Sequence, residues 1–159
     1  MGCSSLAEIT LPPALAEIGR YAFMSCSSLT EITLPPTLTE IGKYAFYRCT
    51  SLTDVTLPHN LSYIGESTFE GCASLAHVTL PPTLTGIFES SFEGCTSLCA
   101  IALPPTLTAI GQQAFKGCTS VSEITLPHQH ISIGMEALRA ALPERRVDAN
   151  LRPRRRDRS

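Results

Sequence analysis

The 159 residues contain no tryptophan, and aromatic side chains make up only 6% of them. A tryptophan-based core is therefore excluded, and aliphatic side chains must supply most of the interior. Charge is also sparse at 16%, against 43% apolar residues, a balance that excludes an unfolded polyelectrolyte and allows a buried core in one domain. Basic residues almost vanish from positions 1–138, which hold only Arg20, Lys43, Arg48 and Lys116 against eleven acids, a net of −7. Residues 139–159 reverse this, with eight arginines against three acids, a net of +5. The overall value of −2 thus conceals an acidic body and a basic tail. No apolar run approaches the roughly 20 residues that cross a bilayer as a helix. Residues 1–25 lack the basic start, apolar stretch and small-residue cleavage site of a secretory leader, and none is expected there. Met1-Gly2-Cys3-Ser4-Ser5 approaches an acylation signal, but Leu6 stands where Ser or Thr is required.

What is present is a repeat. Cysteine falls at 3, 26, 49, 72, 95 and 118, always 23 residues apart. Leucine keeps the same interval at 11, 34, 57, 80, 103 and 126, and isoleucine at 18, 41, 64, 87, 110 and 133. Phenylalanine occupies 23, 46, 69, 92 and 115, with Leu138 in the sixth place. Proline, often a sign of disorder, is here one more column at 12, 35, 58, 81, 104 and 127. A fixed period of this length is the signature of a solenoid, in which each unit buries its apolar side only against its neighbours.

Within the second unit, Leu29-x-x-Ile32-x-Leu34 is the strand signature of a leucine-rich repeat. Ile32 and Leu34 share one face of the strand, while Glu31 and Thr33 take the other. Pro35 lacks an amide donor and ends the strand. Leu38 and Ile41 begin a return leg, Gly42 permits a turn, and Ala45-Phe46 is expected to pack inward from a short helical or 3₁₀ turn. About six such units over 1–138 predict a parallel sheet on one face and short strands or 3₁₀ turns on the other. Met135 to Leu142 has helical spacing and predicts a short C-terminal capping helix, followed in 139–159 by an Arg-rich tail. No cap is visible at the N-terminus, where the chain starts in mid-repeat. That predicts either a missing segment or dimerisation through the open end.

The Leu-x-x-Ile-x-Leu-Pro runs, the Leu-x-x-Ile-Gly runs and the Ala-Phe-x-x-Cys closures resemble the BspA-like, or treponemal-type, leucine-rich-repeat family. The resemblance spans about residues 3–138. It implies a solenoid that binds proteins, with host material among the candidate partners, and a cell-surface or secreted setting.

The six column cysteines are expected to form a ladder of free, buried thiols. Equivalent Cβ atoms in adjacent coils sit about 4.8 Å apart with parallel vectors, whereas a disulfide needs about 3.8 Å and converging ones. A single row also cannot surround a metal tetrahedrally. Cys99 falls outside the column, at the start of the fifth strand. It is read either as a small residue in the place of Ser or Ala, or as a reactive thiol or the partner in an intermolecular disulfide.

Two outward columns define a candidate partner-binding face: Glu8, Glu31, Asp54, His77, Ala100 and Glu123, beside Thr10, Thr33, Thr56, Thr79, Ala102 and Thr125. The plain reading is a solvated sheet face with threonine chosen for strand propensity. The sharper one is an acidic stripe for a basic protein partner, a face that disfavours nucleic acid. The fifth unit loses this polarity. Phe88 replaces a turn glycine and Gly86 a polar residue just before it. Phe88, Cys99, Ala100 and Ala102 are therefore the candidate site for a small hydrophobic ligand, unless Phe88 and Ala100 lie on different faces. The Arg-rich tail is read as a solvated terminus, with anionic lipid, nucleic acid or the chain's own acidic stripe as alternative contacts. No catalytic motif, metal cluster or cofactor loop is found. Three weak signals remain: His128-Gln-His130, the neighbouring His77 and Cys99, and the sequon Asn60-Leu61-Ser62. An enzyme is not expected.

Overall fold

A computed structural model describes residues 3–126 and 131–138. Ten short strands follow one another: β1 (Glu17–Ile18), β2 (Glu40–Ile41), β3 (Asp54–Thr56), β4 (Tyr63–Ile64), β5 (His77–Thr79), β6 (Gly86–Ile87), β7 (Ala100–Ala102), β8 (Ala109–Ile110), β9 (Glu123–Thr125) and β10 (Ser132–Ile133). All pairings are parallel. The first strand of each coil builds one sheet in the order β3-β5-β7-β9, extended toward the N-terminus by a bridge between Glu31 and Asp54. The return strands build the order β10-β8-β6-β4, with β1 and β2 forming a pair of their own. Register advances by one 23-residue unit at every pairing, as in Ile64 against Ile87 and Ile87 against Ile110. The chain is a solenoid of stacked coils, each starting at a column cysteine.

The strands are short because each coil must turn at every side. Pro35, Pro58, Pro81 and Pro104 end the first strand and accept a hydrogen bond from the leucine three residues on, at 3.1–3.2 Å. Those leucines (Leu38, Leu61, Leu84 and Leu107) are buried, and so are the leucines of the first leg (Leu29, Leu52, Leu75 and Leu98). Between these legs lies the aromatic spine. Phe23, Phe46, Phe69, Phe92 and Phe115 stack at centroid separations of 5.2–5.4 Å with planes within 12° of parallel. Each such pair contributes about 0.5–1.5 kcal/mol beyond its area burial.

The third side of the coil, from the turn glycine to the next cysteine, contains no helix among the described residues. In the second coil Ala45 donates to Gly42, Tyr47 to Tyr44 and Cys49 to Phe46, at 3.1–3.2 Å. These are overlapping tight turns. Two positions of the coil hold the left-handed conformation among the described residues: Tyr21, Tyr44, Ser67, Ser90, Gln113 and Glu136 at φ 52–62°, and Ser25, Arg48, Gly71, Gly94 and Gly117 at φ 55–75°. A left-handed residue every few positions forbids both α and 3₁₀ continuation. The helical piece expected at Ala45-Phe46 is thus replaced by turns. The capping helix expected from Met135 is corrected as far as Leu138. Glu136 is left-handed, Ala137 donates back to Gly134, and this segment repeats the turn of the earlier coils. Helical spacing of apolar residues there was a by-product of the repeat. Residues 139–142 and the tail lie outside the described residues.

The turns bond to one another between coils. The amides of Phe23, Phe46, Phe69, Phe92 and Phe115 donate forward to carbonyls of the next coil at 2.8–2.9 Å. On the return side the direction reverses, with Gly42, Gly111 and Gly134 donating backward to Ile18, Ile87 and Ile110. Three cross-coil ladders thus satisfy the backbone. The glycine at the start of the turn is forced by close approach. A Cβ on Gly42 would stand 2.5 Å from the Arg20 amide nitrogen, and one on Gly111 2.5 Å from that of Glu89. Gly19 has nothing within 4 Å.

The column thiols Cys26, Cys49, Cys72, Cys95 and Cys118 are free and buried, whereas Cys3 is exposed. Cys49, Cys72, Cys95 and Cys118 each donate Sγ–H to a phenylalanine carbonyl of the coil before, at 3.0–3.2 Å. Burial pushes the Cys49 and Cys118 thiols up to about 12, so they stay protonated and unreactive at neutral pH. We expect a thiol reagent to modify Cys3 and Cys99 rapidly in the native chain and the five buried thiols only on unfolding. Gly42→Ala or Gly111→Ala should cost about 1–3 kcal/mol in urea unfolding while Gly19→Ala changes stability by less than about 0.5 kcal/mol.

Candidate functional site

The first sheet presents its outward residues in two aligned rows. Asp54 faces His77, His77 faces Ala100 and Ala100 faces Glu123, with Glu31 bridged to Asp54. Glu8 takes the equivalent place one coil earlier, where Thr30 donates to the Ala7 carbonyl at 3.2 Å. Beside this row Thr56 pairs with Thr79, and Ala102 with Thr125. The alternation is direct. In β3, β5 and β7 the middle residue (Val55, Val78 or Ile101) is buried and the two outer ones are exposed. Glu8, Thr10, Glu31 and Thr33 are exposed as well. The candidate partner-binding residues from Glu8 to His77, with the threonine row, are therefore brought onto one surface, with neighbours in each row about 4.8 Å apart from strand to strand.

The hydroxyl ladders run elsewhere. Thr37, Thr83 and Thr106 each donate to two carbonyls of the coil before, at 2.5–3.0 Å, and Asn60 Nδ2 donates to the Pro36 carbonyl at 2.9 Å. Thr39, Thr85 and Thr108 repeat the pattern beside the return strands at 2.9–3.1 Å. These flanking residues tie coil to coil and leave the outward threonine row to meet solvent.

Phe88 does not join Cys99, Ala100 and Ala102. It follows β6 on the return sheet, whereas Ala100 and Ala102 face outward from β7 on the first sheet. The four residues do not make one cluster, because adjacent irregular positions in sequence fall on different sides of the coil. Phe88 has its own local logic. Its ring stacks on Tyr63 at 5.4 Å and 13°, and a Cβ on Gly86 would come within 3.2 Å of its Cε1. Gly86 thus makes room for the ring, which remains 45% exposed. The turn beneath is adjusted too. Ser91, in a column otherwise mostly alanine, donates to the Gly65 and Phe88 carbonyls at 2.9 and 2.7 Å, and Thr68 donates to Gly65 at 3.0 Å. Burial, followed by the Glu40 carboxylate nearby, raises the Tyr63 phenol.

Cys99 is exposed, and its Sγ donates to the Ser97 carbonyl at 3.1 Å. Its amide pairs with Ala76, one position before His77. His128 and His130 lie outside the described residues. Among the described residues no group of three or more His, Cys, Asp or Glu side chains is placed to hold a metal.

A second surface escaped the sequence reading. On the turn side Tyr21 and Tyr44 stack at 5.2 Å, Tyr44 meets Tyr47 edge-on at 5.9 Å, and Arg20 and Arg48 lie over these rings. Tyr21 and Tyr44 are one period apart, so the signal was available. It was hidden because the turn column holds Ser, Gln and Glu in later coils.

The model of the BspA type leucine rich repeat region matches in six copies, over residues 1–101 and 39–143. The chain belongs to that family. A leucine rich cell surface protein of Faecalibacterium prausnitzii is 42% identical, with a TM-score of 0.67, over 70% of this chain and 29% of that one. The Treponema pallidum leucine rich repeat protein is 38% identical, with a TM-score of 0.64, over 70% of this chain and 51% of that one. A leucine-rich repeat protein of Bacteroides ovatus is 29% identical, with a TM-score of 0.52, over 78% and 44%. The chain spans about half or less of the length of these structures. A search of curated protein sequences gives no match. Among the described residues no helix is long and apolar enough to cross a membrane.

The fit between Gly86 and Phe88 is directly testable. Gly86→Glu, which restores the acid found at Glu17 and Glu40, should cost about 1 kcal/mol by displacing the Phe88 ring. Combined with Phe88→Gly it should cost less than the sum of the two single changes, a coupling of at least about 0.5 kcal/mol in urea unfolding.

Proposed function

We propose that this repeat is a protein-interaction module whose working surface is the outward face of the first sheet. The observation that carries the reading is the in-register row from Glu31 through Asp54 to His77, continued from Glu8 and flanked by exposed threonines. Like charges set in neighbouring strands repel one another, a small but uncompensated cost on an exposed face. A basic partner removes that cost and gains steering from the acidic body. The threonines supply short, stiff hydroxyls that add hydrogen bonds with little entropy to lose. Ala100 and Ala102 interrupt both rows and set the acidic segment apart from Glu123. The family and the cell-surface protein of F. prausnitzii support a surface role of this kind, with binding rather than catalysis as the activity.

A lysine-rich peptide labelled for fluorescence anisotropy should bind the intact chain, and more weakly as salt rises. The Glu31→Lys, Asp54→Lys double variant should bind at least about tenfold more weakly, equivalent to about 1.4 kcal/mol. Its unfolding midpoint should be unchanged, since both side chains are exposed. Equal binding by the double variant would rule out the acidic row as the contact.

A further inference from the structure

The turn side of the first two coils carries a surface of different chemistry. The Arg20 guanidinium lies 4.6 Å from the Tyr21 ring centroid and 5.6 Å from that of Tyr44. Arg48 lies 5.2 Å from that of Tyr47. The three tyrosines touch in sequence, so two guanidinium groups flank a continuous aromatic platform. Glu66 orders its centre: one carboxylate oxygen accepts from Lys43 Nζ and the other from Tyr44 Oη, both at 2.8 Å. Those two donors hold the Glu66 carboxyl below the usual carboxylate range, so it stays ionised and pairs with the charged Lys43. Arg20 and Arg48 are exposed and, among the described residues, make no ion pair. Three of the four basic residues in 1–138 meet on this patch.

We propose that this patch is a second docking surface, distinct from the acidic sheet face, and that it takes a short acidic segment of a partner protein. A guanidinium spread on an aromatic ring keeps its N–H edge free and is pre-oriented for a carboxylate, which it grips through two parallel bonds. Tyrosine and arginine are the side chains that most often anchor protein interfaces, because they bury large rigid area at low entropic cost. Tyr21 is already 44% exposed and Met24 beside it 37%, so the platform offers apolar contact between the charges. The extent of the patch argues against a long polyanion. Glu66 and Glu70 bound it on one side, and Glu17 and Glu40 line the neighbouring return sheet, so a nucleic acid or sulfated polysaccharide must cross acidic ground. A segment of a few carboxylates does not.

The chain provides its own probe. It has no tryptophan and four tyrosines, three of them in the patch, so its intrinsic fluorescence reports mainly on this surface. An unlabelled Asp/Glu-rich peptide without aromatic residues, titrated into the full chain, should change the tyrosine emission saturably, while a length-matched Gln-rich peptide should not. Arg20→Gln with Arg48→Gln should weaken the binding at least about tenfold. Arg20→Lys with Arg48→Lys should fall between, keeping charge but losing the flat fork. Glu31→Lys with Asp54→Lys should leave the response intact, which separates this surface from the sheet face. So should replacement of Arg152, Arg154, Arg155 and Arg156 by Gln. Unchanged binding in the Arg20/Arg48 Gln variant, or loss in the tail variant alone, would overturn the proposal. It would also be overturned if a sulfated oligosaccharide or oligothymidine bound more tightly than the peptide through the same two arginines. Self-association abolished by the Arg20/Arg48 Gln variant would assign the patch to a second copy and equally defeat it.

Discussion

Everything in this protein depends on adjacent coils meeting in one register, 23 residues apart. Strand ladders and a turn ladder bond each coil to the next, and the turn amides donate forward where the return-side amides donate backward. The phenylalanine spine and the thiol column fill the space the ladders enclose. A shift of one residue would turn valine and isoleucine outward and acid and threonine inward along every strand at once. No local gain offsets that, so the register holds even where individual residues drift.

The drift is itself informative. In the fourth coil a glycine has become phenylalanine and a polar position has become glycine, yet the coil still bonds to both neighbours. The ring fills the space the glycine vacates, and the buried hydroxyls of Thr68 and Ser91 satisfy the altered turn. Compensation is confined to nearest neighbours, as expected for a one-dimensional stack. Outward positions face no such demand. Their identities carry whatever distinguishes this repeat from another of its family.

Stacking also converts a single choice of side chain into a row. The acids of the first three coils become a stripe on the first sheet, and Glu17 stands beside Glu40 on the return side. One tyrosine per turn in two coils becomes a stacked pair capped by arginine. The molecule is consequently acidic on its sheets and aromatic-cationic on its early turns. Surfaces of opposite sign on different sides of one coil select partners by where charge lies, more than by how much there is.

By itself the sequence determined the repeat length, the parallel solenoid, the buried columns and the composition of the acidic stripe. All of these follow from strict periodicity: a position repeated every 23 residues must recur at the same place in each coil. Tertiary structure alone decided three things. It replaced the expected helical segments with left-handed turns, because backbone conformation at Tyr44 or Glu136 is set by cross-coil bonding and not by side-chain spacing. It separated Phe88 from Ala100, because the two lie twelve residues apart on a coil that changes direction between them. And it gathered Arg20, Tyr21, Tyr44, Tyr47 and Arg48 into one surface. Tyr21 and Tyr44 share a column, but Tyr47 and the arginines do not, and only the folded turn brings columns together.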